Sequence, residues 1–203
     1  MKTVFQTRDI SPKRAVLALW PALALLVLAI VLAALERPGF AEAPARRTPE
    51  SVAGTASVID GDTLDIHGAR IRLVGVDAPE SKQKCRVSGK FVLCGAAAAN
   101  ALDKWINRNP VTCAIEGKDR YDRLLGECRV RGESMQEWLV SNGHALAYRT
   151  YSTAYVPAEL KARKAKAGIW GSEFVPPWDW RKGQRLSGEK PTKAMLEGKF
   201  AAN

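Results

Sequence analysis

The stretch VIDGDTLDIHGARIRLVGVDAPES, residues 58–81, determines the predicted fold. Its β-branched and apolar residues favour short strands joined by tight turns. His67-Gly68 is typical of the tip of a two-residue hairpin. Gly75 indicates a bulge or a close backbone approach inside a strand. The predicted strands are TASVI (55–59), DTLDIHG (62–68) and ARIRLVGVD (69–77).

The same stretch carries more charge than a β-hairpin needs. Asp62 begins one strand and Asp77 ends the strand that pairs with it, so antiparallel pairing places both carboxylates at one end of the sheet. Carboxylate oxygens are the ligands that hard cations such as calcium prefer. Residues 60–62 do not continue as an EF-hand loop, because apolar residues stand at the later ligand positions. A metal site here therefore combines residues that are distant in sequence.

Further strands and helices follow this stretch. Residues 95–108 have the apolar spacing of a helix, and the capping box from Ser134 to Glu137 opens another helix that Gly143 ends. The remaining predicted elements are strands over 111–116 and 123–131 and a helix over 157–167. Five short strands with interspersed helices are typical of a small closed barrel. We therefore predict an α+β fold, a five-stranded OB-type β-barrel with about three helices.

Length and charge limit the possible classes of protein. The chain has 203 residues, of which 46% are hydrophobic, and its net charge is +10. This length accommodates one compact domain with appendages rather than two full domains. The positive charge points to a polyanionic partner, which is nucleic acid, anionic lipid or an acidic protein. A basic surface that serves solubility alone is the alternative.

An N-terminal apolar segment covers residues 15–35 and follows Lys13 and Arg14. At a rise of about 1.5 Å per residue it is long enough to cross a bilayer core of about 30 Å. We predict a cytoplasmic tail over 1–14 and a single transmembrane helix over 15–35. The alternative is a cleaved signal peptide, because residues 39–41 (Gly-Phe-Ala) place small residues at suitable positions for cleavage before Glu42, although signal peptides normally have shorter apolar regions.

Composition divides the remainder of the chain. Residues 36–54 are rich in proline, alanine and charge, which predicts a linker. The folded domain is predicted over 55–180. Residues 181–203 are basic and lack hydrophobic periodicity, which predicts a disordered tail.

The four cysteines indicate in which cellular compartment the folded domain resides. None of the four forms a CxxC zinc pattern, and they allow three pairings. We favour the local pairs Cys85–Cys94, which closes a short loop, and Cys113–Cys128, which staples neighbouring strands; four reduced, buried cysteines are the alternative. Disulfides persist in oxidising compartments. With the export segment, they place the domain on the periplasmic or extracellular side of a bacterial-type inner membrane, or in the medium after signal cleavage.

Four motifs together resemble the staphylococcal nuclease (thermonuclease) family. In chain order they are DGDT (60–63), RxxxxDxPE (72–80), DRYxR (119–123) and GIW (168–170). The resemblance covers roughly residues 57–173. DGDT alone is a weak signal, whereas all four motifs in order are specific. The resemblance implies an OB-type barrel and a calcium-dependent endonuclease that cleaves DNA and RNA with little sequence specificity.

The resemblance also implies a role for individual residues. They are the calcium ligands Asp62, Asp77 and Ala78 (through its carbonyl), the phosphate-binding Arg72 and Arg123, the water-activating Glu80, and the nucleotide-contacting Tyr121, Tyr148 and Tyr151. These residue types suit the chemistry, because a divalent cation and arginine forks neutralise the charge on a phosphodiester and a nearby glutamate can take a proton from water. Asp122 stands where the family often has glycine, and its charge can weaken phosphate binding by Arg123.

Two other functions are compatible with the pattern. One is a non-catalytic module of the same fold that binds nucleic acid or a protein at the cell envelope. The other is an envelope protein whose basic surface binds anionic lipid. The complete set of acids and arginines favours the enzyme, because such sets rarely assemble without use. The expected partners are DNA and RNA as substrates and the membrane through the N-terminal helix, with no obligate protein partner.

Overall fold

Residues 50–190 are the part of the chain that the structure, a computed structural model, describes. The strands in this part are β1 (Ser51–Asp60), β2 (Thr63–Ile66), β3 (Ala69–Leu73), β4 (Val76–Asp77), β5 (Lys84–Val87), β6 (Lys90–Leu93), β7 (Pro110–Lys118), β8 (Leu124–Val130), β9 (Glu133–Ser134) and β10 (Leu146–Ala147). The α-helices are α1 (Cys94–Ile106), α2 (Met135–Ser141), α3 (Val156–Ala165) and α4 (Pro177–Arg181), with a 3₁₀-helix over Gly168–Gly171.

Five of the strands close into a barrel. β1, β2 and β3 form an antiparallel meander whose tip lies at His67 and Gly68, both with positive φ. β3 then pairs in parallel with β8, with Ile71 opposite Leu124. The antiparallel pairs β8–β7 and β7–β1 complete the ring. This closed five-stranded barrel agrees with the predicted OB-type fold.

The barrel is filled by one apolar core. Alternate residues of β2 and β3 point inward, and Leu64, Ile66 and Ile71 are fully buried. α1 and α2 cover the barrel with Leu102 and Leu139, which belong to the same buried cluster. Because the core lies between the sheet and the helices, the polar ends of β2 and β4 are left to form a site.

The first strand begins earlier than predicted. Residues 51–55 pair with residues 110–114 of β7, which gives them backbone partners that the sequence pattern does not reveal. The last four residues of the predicted linker, 51–54, therefore belong to the barrel. The predicted strand over 69–77 is also divided, because residues 74 and 75 separate β3 from β4.

The helix ends follow the predicted capping chemistry. The Ser134 side chain accepts a hydrogen bond from the backbone N–H of Glu137 at 3.3 Å, as a capping box requires. Gly143 follows the α2 cap with a left-handed φ of 67°. α3 ends slightly before the predicted boundary, because Lys166 adopts the left-handed conformation.

Two disulfides brace the fold, and they are the pairs favoured from the sequence. Cys85–Cys94 joins β5 to the start of α1, and Cys113–Cys128 joins the facing positions of β7 and β8. The hairpin of β5 and β6 was not predicted. Its first strand pairs through Arg86 with Glu173, which ties the hairpin to the C-terminal part of the domain.

The predicted boundary of the C-terminal tail is wrong at its first residue. Arg181 is the last residue of α4, and Trp180 beside it is 4% exposed. The predicted transmembrane segment and most of the linker lie outside the described residues, as do residues 191–203. Within residues 50–190, no helix has the length and apolar character needed to cross a membrane.

Candidate active site

The DGDT segment is held against the DAPE segment by close backbone packing. Asp60 shapes the turn by accepting the backbone N–H of Asp62 at 3.0 Å through its side chain. A Cβ added at Gly61 would lie 2.6 Å from the Cβ of Ala78, closer than atoms of this kind pack. A residue with a side chain at position 61 would therefore push the two segments apart.

Asp62 and Asp77 meet at one end of the barrel, as antiparallel pairing of β2 with β3 predicts. Both are buried, at 2% and 0% exposure. Arg72 donates Nη1 to Oδ1 of Asp62, and its Nη2 lies 2.8 Å from Oδ1 of Asp77. The backbone N–H of Ala78 donates to Oδ2 of Asp62 at 2.7 Å. One guanidinium thus bridges the two carboxylates.

A second guanidinium, from Arg181, extends this arrangement to Glu80. Its Nη1 lies 3.0 Å from Oδ1 of Asp77 and 2.8 Å from Oε1 of Glu80, and its Nη2 lies 2.8 Å from Oδ2 of Asp77. Acids and arginines alternate along the resulting row. We call it the ion-pair network, and its members are Asp62, Arg72, Asp77, Arg181 and Glu80.

The loop that carries Glu80 is fastened from two sides. Gln83, which is fully buried, accepts the backbone N–H of Glu80 at 3.1 Å and donates to the carbonyl of Val175 at 2.6 Å. The start of α1 packs against the loop so closely that a Cβ at Gly95 would collide with the carbonyl oxygen of Glu80. The backbone of Glu80 is therefore set by the fold, whereas its side chain is 35% exposed and accessible to water.

Burial dominates the electrostatics of Asp62. It raises the pKa of Asp62 to about 8, against the opposing effect of Arg72 and with a further rise from the charges of Asp60 and Asp77. The positive charge of Arg72 thus offsets only part of the cost of burying this carboxylate. Additional positive charge beside Asp62 would favour its ionised form.

A hard cation fits this donor set. Asp62 and Asp77 contact the same guanidinium, so both carboxylates lie within reach of a single ion. Carboxylate oxygens are what such ions bind, and the unfavourable charge on Asp62 is what a divalent ion would relieve. Within the described range, no group of three or more His, Cys, Asp or Glu side chains is arranged around a common point. Backbone oxygen or water must therefore complete the coordination.

Arg123 lies in a separate turn that we call the 119–123 turn. Its Nε donates to Oδ2 of Asp119 at 2.8 Å, and its backbone N–H donates to Oδ1 at 3.0 Å. No hydrogen bond or ion pair in residues 50–190 joins Arg123 to the ion-pair network. The parallel pairing of β3 with β8 nevertheless brings the two arginines near each other. Arg123 immediately precedes Leu124, the residue paired with Ile71, and Ile71 immediately precedes Arg72.

Asp122 adopts the left-handed backbone conformation that its position requires, with φ at 62°. Its carboxylate pairs with Lys118 at 2.7 Å, whereas the sequence predicted that its charge would act on Arg123. Both partners are largely exposed, so this pair contributes little to stability.

The three predicted tyrosines lie in two places. Tyr121 is 52% exposed in the 119–123 turn, and its ring lies under the guanidinium of Arg120 at 4.8 Å. Tyr148 follows β10, which pairs with β4 beside Asp77, and its ring centroid is 5.2 Å from that of Tyr151. Trp178 of α4 also stacks on Tyr148, with ring centroids 5.7 Å apart.

Sequence reasoning missed Arg181 and Trp178 as members of the site. Both lie on α4, within the run PPWDWR (176–181). A proline in the first turn and two tryptophans, at the end of the predicted domain and just before the predicted tail, were the signal that this segment packs on the domain. Nothing in the sequence indicated that Arg181 would pair with Asp77 and Glu80, which lie about a hundred residues earlier.

Comparison with known proteins places the chain in a family. The family model for staphylococcal nuclease homologues matches residues 70–172. The succinoglycan biosynthesis protein ExoI of Rhizobium meliloti (strain 1021) is 40% identical over 128 residues, which cover 61% of this chain and 67% of that protein. An uncharacterized endonuclease of Escherichia coli O157:H7 is 34% identical over 132 residues, or 61% of this chain and 80% of its own length. A probable staphylococcal-like nuclease of Oryza sativa subsp. japonica is 34% identical over 119 residues, or 57% and 29% of the two lengths.

The fold and these similarities define the class as nucleases built on an OB-type barrel. The chain belongs to the family of staphylococcal nuclease homologues, whose model covers about half of it. It is therefore a nuclease, a hydrolase that acts on nucleic acid.

Proposed function

We propose that the chain is a calcium-dependent endonuclease that hydrolyses DNA and RNA with little sequence specificity, and that the ion-pair network is its catalytic centre. The observation that carries the proposal is the convergence of Asp62, Asp77 and Glu80 on the guanidinium groups of Arg72 and Arg181 at one end of the barrel. Acids and arginines in contact at a partly exposed site are the groups that phosphodiester hydrolysis needs.

Asp62, Asp77 and the carbonyl of Ala78 would hold the calcium ion. When bound, this ion supplies positive charge for the phosphate oxygens and orients a water molecule. The burial of both carboxylates supports this role, because a buried acid gains most from a cation that it contacts. Metal binding requires the ionised form of Asp62.

Glu80 is the proposed base. Its carboxylate is exposed enough to contact solvent and sits beside Asp77 through the shared guanidinium. It would accept the proton of the attacking water as the water oxygen bonds to phosphorus and the bond to the leaving oxygen breaks. The leaving oxygen would then take a proton from solvent.

Arg72 and Arg123 are the proposed phosphate-binding residues. Arginine presents a planar fork that matches two phosphate oxygens, which lysine cannot reproduce. Arg123 is 28% exposed and held by Asp119, so its guanidinium is oriented before substrate binds. Tyr121 would contact the terminal phosphate, while Tyr148 and Tyr151 would stack on the base.

Cleavage of labelled single-stranded DNA, duplex DNA and RNA by the full chain tests this function. We expect all three to be cut in calcium, cutting to stop with a chelator, and activity to return when calcium is restored. Activity that persists in the chelator would contradict the metal assignment. Binding without cleavage would instead favour a non-catalytic nucleic-acid module.

We further propose that residues 15–35 anchor the chain in the inner membrane with the nuclease domain on the oxidising side. The two disulfides of the domain support the compartment, since such bonds persist outside the cytoplasm. Fractionation of cells that express the full chain should recover it in the membrane pellet with its cysteines resistant to alkylation. Recovery in the culture medium would favour the cleaved form, and a cytoplasmic protein with free thiols would contradict the proposal.

A further inference from the structure

Arg181 occupies a position in the site that its place in the sequence does not suggest. It engages both oxygens of Asp77 and one oxygen of Glu80 through its two terminal nitrogens. Asp77 is fully buried, and the side chain of Arg181 is 39% exposed. The guanidinium therefore lies at the mouth of the site, between a metal-binding carboxylate and the proposed base.

The segment that carries Arg181 is docked by contacts that do not involve its guanidinium. Trp180 is buried, and Trp178 stacks on Tyr148 with the rings 18° from parallel. Gln83 fixes the carbonyl of Val175, just before α4, and Glu173 forms two backbone hydrogen bonds with Arg86, at 2.8 and 3.0 Å. Because these contacts hold α4 in place, a shortened side chain at position 181 is expected to leave the fold intact.

Glu80 needs a partner to have a defined side-chain position. Its backbone is held by Gln83, but a glutamate side chain has three rotatable bonds and here is 35% exposed. The charged hydrogen bond from Arg181 at 2.8 Å selects one orientation, and the same guanidinium is fixed by two hydrogen bonds to Asp77. Arg181 thus fixes the position of the Glu80 carboxylate relative to Asp77, which is itself held by the barrel.

We propose that Arg181 is a positioning residue of the active site, which holds the carboxylate of Glu80 beside Asp77 so that it can take a proton from the attacking water. The inference rests on the proposed function, since it assigns Arg181 a part in the reaction that Glu80 performs. It differs from the role of Arg72 and Arg123, because Arg181 acts through Glu80 rather than on the phosphate.

A double-mutant cycle with Glu80 tests this role. We compare kcat and KM of the wild type, R181Q, E80Q and R181Q/E80Q on single-stranded DNA in saturating calcium. K182A is the matched control, because the Lys182 side chain is exposed and its ion pair is with Asp179, outside the network. R181Q is expected to lower kcat about 10–100-fold with little change in KM, the range typical of groups that orient a catalytic residue. In the E80Q background it should cause no further loss.

The conservative variant adds a readout that a purely structural role would not move. R181K is expected to fall between the wild type and R181Q, because an ammonium can contact one carboxylate well but lacks the fork that reaches both. Unfolding followed by circular dichroism should show R181K and R181Q to be folded. If R181Q is unfolded, the same comparison is made between R181K and R181K/E80Q.

Calcium titration by calorimetry separates positioning from competition with the metal. R181Q is expected to bind calcium at least as tightly as the wild type, since a positive charge beside Asp77 has been removed. Its kcat should nevertheless remain low at saturating calcium. Restoration of wild-type kcat by excess calcium, weaker calcium binding, or an equal loss in the E80Q background would each overturn the inference. A wild type without any nuclease activity would overturn the proposed function as well, whereas an active wild type matched by R181Q would overturn only this inference.

Discussion

The ion-pair network and the 119–123 turn carry the two arginines that sequence motifs predict as a pair, yet they are built in opposite ways. Arg72 is bound to two buried carboxylates from different strands, and the network is completed from α4. Arg123 is bound to Asp119, four residues away, in a turn whose remaining side chains are largely exposed. The network is assembled by contacts between distant segments of the fold, whereas the turn is held mainly by hydrogen bonds among its own residues.

This difference separates stability from catalysis. Removing a buried acid from the network takes one ion-pair partner from arginines that are partly shielded from water, which is costly. Removing an acid from the turn leaves a cation that water can reach. Removal of a buried acid from the network should therefore lower both stability and activity, whereas changes in the turn should mainly affect activity.

The largest effect is expected on the stability of D77A. Loss of this fully buried carboxylate removes one ion pair from Arg72 and one from Arg181, and it should lower the free energy of unfolding by about 3–5 kcal/mol. D119A, the matched change in the turn, should cost about 1 kcal/mol or less. Urea denaturation of the full chain measures both. Equal losses would contradict the contrast between the two regions.

Activity should respond differently to the two arginines. R123A is expected to lower the rate of DNA cleavage about 10²–10³-fold while the melting temperature stays near that of the wild type. R72A should lower both the rate and the melting temperature, because Arg72 bridges two buried acids. R120A is the control, since Arg120 lies over the same tyrosine ring as Arg123. A large loss in R120A would show that the turn as a whole, and not Arg123, is responsible.

The disulfides offer a further distinction. Each of the double variants C85S/C94S and C113S/C128S is expected to lose about 2–4 kcal/mol of stability. Only C85S/C94S should also lower kcat, because that bond ties β5 to the start of α1, on either side of the loop that carries Glu80. Turnover below the melting temperature, compared between the two variants, measures this. Equal kcat values in the two would mean that the bond does not support the loop.

The smallest effect is the pH dependence of the turn. Partial desolvation raises the pKa of Asp119. Hydrogen bonds from Arg123 and Tyr121 lower it by more, so the pKa of Asp119 lies below its usual value. The stabilising contribution is therefore complete above about pH 4 and is lost as the pH falls through the lowered pKa. D119N should remove this acid loss, which is expected to be below about 1 kcal/mol because the pair is partly exposed. Melting curves between about pH 3 and 7 would show it, and an unchanged acid slope in D119N would contradict it.

Much of the site follows from local sequence, and the reason is geometric. Asp62 and Asp77 flank a hairpin whose tip, His67-Gly68, sets the register of β2 and β3, and the break at residues 74 and 75 then turns Asp77 toward Asp62. Arg123 is placed by the hydrogen bonds of its own turn. In each case, the contacts that matter are made within a few residues or within one hairpin.

The rest depends on how distant segments dock. Arg181 meets Asp77 and Glu80 only because the tryptophans of α4 pack onto the domain, and neither charge nor periodicity in residues 181–203 indicates this. The early start of β1 has the same origin, since residues 51–54 become a strand by pairing with β7. Composition describes a segment by itself, whereas these two elements are defined by their partners.

The central claim is that the ion-pair network performs hydrolysis with Glu80 as the base. The most direct test is single-turnover cleavage of labelled single-stranded DNA by the wild type and E80Q in saturating calcium, with binding of the same DNA measured by fluorescence anisotropy. We expect E80Q to bind DNA about as tightly as the wild type and to cleave it at least about 10²-fold more slowly. Equal cleavage rates, or a loss of rate that weaker binding explains entirely, would contradict it.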